Sequence, residues 1–321
     1  MRFELTEDQR DFAASLDRLI AGADPVGVAR AWGAGDTAPG LSLWRRLADQ
    51  GVSALLVPEE AGGMGATPVE LAVAFEVLGK HAVPGPWVEA AAYLATELSG
   101  EAQEAVAAGA VATVAVPPHT PYALDADVAT QVYLAGSDGL RTATPDEQLT
   151  SVDRTRRLFR LRAGGIHDTA DRAAEAFDAA ALATSAQLLG AGERVLAGAV
   201  TYVKQRRQFG REIGSYQAIK HQLADVRIAL DFARPLVHGA ALADDVDRGR
   251  AVSAAKVACA DAAYRASRTG LQVHGAIGYT EEFDLSVWIT RIRALVTAWG
   301  TPGFHRARIL QSLTATPAGA R

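Results

Sequence analysis

Six residues carry the most specific chemistry in this chain. Arg206, Gln208 and Phe209 lie in Gln205-Arg206-Arg207-Gln208-Phe209-Gly210-Arg211, between two helical patterns. Gln272, Gly275 and Gly278 lie in Gln272-Val273-His274-Gly275-Ala276-Ile277-Gly278-Tyr279. Around Phe209 stand Lys204, Arg206, Arg207 and Arg211. A sharp turn there would present fixed positive charge to an anion, and the planar guanidinium suits phosphate because it offers several donors at once. Charge alone has a plainer reading, a solvated basic turn. His274 and His221 read as packed or interface histidines ahead of catalytic ones.

The elements around them are helical. Thr6 can cap a first helix, with Glu7 and Asp8 at its positive end, and Phe12, Leu16 and Leu19 follow at helical spacing. Thr67-Pro68-Val69-Glu70 is a second start with the elements of a capping box. Gly62-Gly63-Met64-Gly65 lacks the Lys-Ser/Thr of a nucleotide loop and reads as a tight turn. Residues 110–163 change character. Stretches 111–116, 131–135 and 157–161 read as strands, and Pro117-Pro118, Ser137-Asp138-Gly139 and Pro145-Asp146 as turns. Four helical tracts follow: about 173–204, from 216 with a kink expected at Pro235, about 251–272, and one carrying Leu285, Ile289, Ile292 and Leu295. A further piece follows Thr301-Pro302. Such stripes pack as a four-helix bundle. The expected fold is mainly α with a small central β domain. The expected boundaries are an N-terminal helical domain over 1–108, a reduced β domain over 109–168 and a bundle over 169–321.

Composition narrows the function. The chain has 321 residues, 49% apolar and 21% charged, with a net charge of −5. These are the proportions of a globular protein, and the charge balance gives no reason to expect nucleic acid. One cysteine, Cys259, excludes an internal disulfide and a cysteine-built metal site. Seven scattered histidines show no ligand spacing, so no metal is expected. The acidic start lacks an apolar signal region and no stretch reaches about 20 apolar residues, so a cytoplasmic location is expected.

Three stretches together resemble the flavin-dependent acyl-CoA dehydrogenase superfamily: residues 205–225, residues 272–279, and Trp44–Gly51 continuing to Val57–Gly65. They occur in family order, covering 1–100 and 170–312. The resemblance implies an acyl-CoA dehydrogenase-like fold, a bundle that mediates tetramer assembly, and FAD as cofactor. It implies that Arg206, Gln208 and Phe209 serve the pyrophosphate, and Gln272, Gly275 and Gly278 the adenosine half, of a flavin whose ring is gripped by a neighbouring subunit.

The same resemblance exposes two departures. The family's catalytic base is a glutamate at one of two positions. Trp299 stands in one, within Ala298-Trp299-Gly300-Thr301-Pro302, and the other falls at Ala180-Ala181. Neither side chain can take a proton from the α-carbon, which needs a base in contact. Asp178 and Glu175 are two and five residues off that position and read as solvated helix-start acids, with Asp178 a minority candidate base. The family's loop around the flavin ring is missing too, Ala135-Gly136-Ser137-Asp138 being a partial match. The pieces lent to a neighbour remain while those used on the chain's own behalf are gone. The expectation is a non-catalytic subunit of a heteromeric, steroid side-chain type acyl-CoA dehydrogenase. FAD would be shared with a catalytic partner in an α2β2 heterotetramer, with the acyl-CoA on the partner. The alternatives are a self-sufficient flavoenzyme with another base and a scaffolding subunit that never meets flavin.

Overall fold

Thr6 opens the first helix of the computed structural model, which describes residues 4–167, 169, 171–280 and 282–314. The Thr6 hydroxyl accepts from the Gln9 amide at 3.2 Å, and the Gln9 side chain accepts from the Thr6 N–H at 3.0 Å. This closes the box at the start of α1 (Glu7–Ala21). Helices α2 (Pro25–Gly33), α3 (Ala38–Ala48) and α4 (Pro68–Lys80) follow, the last opened by the expected Thr67–Glu70 box. A π-helical turn over Glu89–Leu94 runs into α5 (Ala95–Glu97), and α6 (Gly100–Ala107) leads to the sheet.

The sheet has five strands: β1 (Ala112–Ala115), β2 (Ala123–Leu124), β3 (Gln131–Gly136), β4 (Gly139–Leu149) and β5 (Leu158–Ile166). Their spatial order is β1-β3-β4-β5-β2, with β1 and β3 parallel and the remaining neighbours antiparallel. The turn expected at Pro145-Asp146 is instead strand. Strand β3 pairs with β4 only as far as Thr142. Beyond that point one side of β4 is vacant, so the missing N–H of Pro145 costs no ladder bond, and the register shifts between Pro145 and Gln148. Strand β5 runs past the expected end at 161 to Ile166.

The bundle is built from α7 (Ala173–Gln205), α8 (Gln217–Ala241), α9 (Asp245–His274), α10 (Leu285–Leu295) and α11 (Pro302–Thr314). Helix α8 is assigned continuously through Pro235. Helix α9 starts six residues before the expected 251, because the Asp244 side chain caps it by accepting from the Asp247 N–H. A single apolar core joins α1–α4, the 89–97 segment, α7, α9 and α10. Helices α4 and α7 touch backbone to backbone. A Cβ at Gly79 would stand 2.2 Å from Gln187 O, and one at Gly190 1.9 Å from Glu76 O, so glycine is required at both. Buried Arg291 on α10 bonds the Asp153 carboxylate, the Thr155 hydroxyl and Val83 O, tying three separate stretches together. Among the described residues no helix is long and apolar enough to cross a membrane.

Candidate functional site

The basic turn is a small hairpin, not a bare loop. Helix α7 ends as Arg206 takes extended geometry (φ −73°, ψ 124°). Strands β6 (Arg207–Gln208) and β7 (Arg211–Glu212) then pair across Phe209-Gly210, which have φ of 51° and 80°. Two central residues with positive φ match the twist of a tight hairpin, where Asn-Gly is the usual pair. Phe209 takes that strained position and is 91% exposed. Among the described residues, Lys204, Arg206, Arg207 and Arg211 form no ion pair with an acid. Arg211 lies over the Tyr216 ring, 3.8 Å from its centroid, and Arg207 reaches only Gly210 O at 3.4 Å. The hairpin therefore carries net positive charge, despite Glu212 across from Arg207, beside an exposed aromatic ring.

The second turn follows α9. Gly275 has φ 62° and ψ −138°, a region that only glycine occupies readily, and a tight helical turn over Gly275–Tyr279 follows. A Cβ on buried Gly278 would lie 3.1 Å from His274 Cβ. The Gln272 side chain is exposed. His274 is buried; its Nδ1–H donates to Gly270 O at 2.7 Å, and its ring packs on Tyr202 (4.2 Å) and Phe283 (4.7 Å). Burial pulls its imidazole below the ordinary pKa. Its Nε2 has no partner.

Val273, Ala199 and Val203 form a small apolar cluster, with Ile213, Ile219 and Leu223 packed against it. That cluster sets the Gln272–Gly278 turn and the base of the Arg206–Phe209 hairpin side by side on the C-terminal end of α7. His221, in contrast, is exposed, so it is no core histidine in this chain.

The two candidate positions for a base are sealed. Trp299 is 1% exposed, and its backbone N–H donates to the Thr120 hydroxyl at 3.2 Å. Its ring lies 5.3 Å from Tyr93 and 6.1 Å from Phe177, and Phe177 in turn packs on His119 and Phe304. Its backbone sits at φ 54°, followed by Gly300 at φ 98°. Two groups pin this turn. Lys256, fully buried and pulled by burial to a pKa of about 7, donates to the carbonyls of Leu295, Val296 and Gly300. His305 Nε2–H donates to Trp299 O at 2.9 Å, which leaves Nδ1 to accept from the Ser253 hydroxyl at 3.1 Å. Burial holds His305 neutral, with a pKa of about 4. Ala180 is buried in α7.

Asp178 corrects an expectation. It is not a solvated acid but a buried one, with both oxygens held by the guanidinium of Arg308. The partner stands 130 residues away, so no local spacing marks it. Glu175 lies at the half-exposed start of α7, 3.7 Å from Arg248. A carboxyl that the spacing did not flag is Glu89. It is buried on the π-helical turn, both its oxygens lack hydrogen-bond partners, and burial raises its pKa. Cys259 is buried and its thiol is pushed up to about 12, which makes it inert at neutral pH.

Comparison with known proteins agrees with this geometry. Residues 6–105 match the acyl-CoA dehydrogenase N-terminal domain, and residues 170–314 the acyl-CoA dehydrogenase C-terminal domain. The chain is 35% identical to acyl-CoA dehydrogenase IpdE2 of Mycobacterium tuberculosis over 291 residues, covering 88% of this chain and 89% of that protein. It is 34% identical to the protein of the same name in Mycolicibacterium smegmatis, covering 81% and 84%. Its backbone superimposes on a chain of the ChsE4-ChsE5 complex from Mycobacterium tuberculosis with a TM-score of 0.84, at 23% identity, over 99% of this chain and 100% of that one. It superimposes on a chain of the Tcur3481-Tcur3483 steroid ACAD with a TM-score of 0.83, at 22% identity, over 98% and 99%. At those identities the two structures speak for the fold alone. Sequence match, relatives and architecture agree: the chain belongs to the acyl-CoA dehydrogenase family.

Proposed function

We propose that this chain is the non-catalytic subunit of a heteromeric FAD-dependent acyl-CoA dehydrogenase that introduces an α,β double bond into an acyl-CoA thioester. The observation that carries the reading is the filling of both base positions, by Trp299 and Ala180, while the hairpin and the glycine turn stay open. When bound, FAD would supply the hydride acceptor. The residues of this chain fit its pyrophosphate and adenosine half. Arg206 offers charge-assisted hydrogen bonds, worth roughly 1.5–3 kcal/mol each. Gln208 and Gln272 offer amide donors, and exposed Phe209 would add an apolar contact. Gly275 and Gly278 let the backbone come close. On this chain's own side Trp299, Tyr93 and Phe177 pack together where a base would stand. The ring, the base and the acyl-CoA then belong to the catalytic partner, in an α2β2 assembly. A steroid-derived acyl thioester is the substrate class we propose, by analogy with one structural neighbour, whose title names a steroid ACAD.

Co-expression tests this. The chain made alone should purify colourless and inactive, and the complex with a glutamate-bearing partner yellow and active. Arg206→Ala should cut flavin retention by the complex at least tenfold without dissociating it. Unchanged flavin content in that variant would favour a scaffolding subunit. One observation favours a self-sufficient enzyme instead, the unpartnered Glu89 carboxyl near Trp299. On that reading the chain alone would bind flavin and oxidise acyl-CoA, and Glu89→Gln would abolish the activity.

A further inference from the structure

A second basic site lies away from the hairpin. The connection between β4 and β5 and the turn after α2 enclose a cavity of about 470 Å³. Its walls carry three arginines, Arg154, Arg156 and Arg157, with the hydroxyls of Thr150 and Ser151, and no carboxylate. The backbone of residues 33–35 forms the facing wall. Gly35, at φ 93°, has nothing within 4 Å of where a Cβ would stand, so a ligand can approach the chain there.

Arg156 is the anomaly. It is 8% exposed, and among the described residues its guanidinium forms no hydrogen bond or ion pair. The charges that act on it are Glu89, Arg291, Asp153 and Asp125. Two of these carboxylates are already engaged. Asp153 is held by Arg291, and Asp125 by Arg157 and the Trp32 indole. Glu89 is raised by burial toward its neutral form. Arg157 spends Nε on Asp125 and Nη1 on Asp127, yet its Nη2 is buried without a partner. One buried donor, Arg157 Nη2, thus stays unmet beside a cavity that the unpaired Arg156 guanidinium also lines. Such groups are costly unless an acceptor meets them.

We infer that this cavity binds a diphosphate-class anion, with Arg156 and Arg157 as its principal donors. Multiple charges and several terminal oxygens match two guanidiniums better than a single carboxylate does. The volume lies in the range of small-ligand sites. The cavity shares no lining residue with the hairpin, while Gly33, Ala34 and Arg154 also wall a neighbouring cavity with Leu271 and Gly278, so the Arg206→Ala control separates this inference from the proposed function.

Calorimetric titration of the full chain with pyrophosphate and with ADP tests it. Both probes should bind saturably, and tighter ADP binding would mark the diphosphate as part of a nucleotide. Arg156→Gln should weaken binding at least tenfold. Thr150→Glu, an acid set on an exposed wall residue, should do the same without touching the core, and keeps the test alive if Arg156→Gln does not fold. Arg206→Ala is the control and should leave the affinity unchanged. Absence of saturable binding overturns the inference. So does binding that Arg206→Ala removes while Thr150→Glu spares it.

Discussion

Phe209 and Trp299 share a backbone conformation and differ in their surroundings. Both are bulky aromatics at a left-handed φ, 51° and 54°, where an L-residue is strained by roughly 1–2 kcal/mol. Trp299 has that strain offset by burial in an aromatic cluster. Phe209 does not, since its ring stands in solvent. An unpaid strain at an exposed tip points to a contact made outside this chain. Phe209→Gly should therefore leave the isolated chain as stable or up to about 1 kcal/mol more stable. The same change should lower flavin retention in the assembled complex, read by absorbance after gel filtration. Equal retention would remove Phe209 from the site. Trp299→Ala should do the opposite and cost about 3–5 kcal/mol in urea denaturation, as large-to-small changes in a packed core do. A loss below about 1 kcal/mol would mean that the slot is loosely filled, and the argument for a sealed base position would fail with it.

Between elements, the Arg291 contacts illustrate what a sequence displays and what it hides. Arg291 and Asp153 are 138 residues apart, and both are buried. Arg291→Met strands a buried carboxylate and should destabilise by about 3–5 kcal/mol. Adding Asp153→Asn should recover part of that loss, with a coupling of at least about 1 kcal/mol in a double-mutant cycle. Strict additivity would show that the pair does not act as a unit. Local chemistry was legible beforehand. Thr6 and Thr67 announce their helices because a cap and its reciprocal partner lie three residues apart. The glycine turn is legible because Gly275 needs a φ that other residues avoid. Long-range pairing was not. Asp178 looked like a surface acid because Arg308 lies on another helix, and Pro145 looked like a turn because the early end of β3 cannot be read from composition. Arg156 and Glu89 were equally silent, since burial of a charge follows from tertiary packing alone.

At the scale of the molecule, α8 has two apolar faces. Val226, Leu230, Ala233 and Val237 point into the core. Ile228, Phe232 and Leu236 recur every four residues on another face and are exposed, Phe232 by 72%. A helix inside one bundle needs only one such stripe. A second stripe left in water is the mark of a surface that another chain covers, and the proposed α2β2 assembly requires one. Phe232→Glu places a charge in the middle of that stripe. It touches no core residue, so the stability of the isolated chain should change by less than about 0.5 kcal/mol. Burying an unpaired carboxylate between subunits is far more costly, so the variant should sediment as a smaller species than the wild-type complex. If sedimentation velocity shows the same assembly for both, the subunits meet elsewhere, and the apolar face of α8 requires a different occupant.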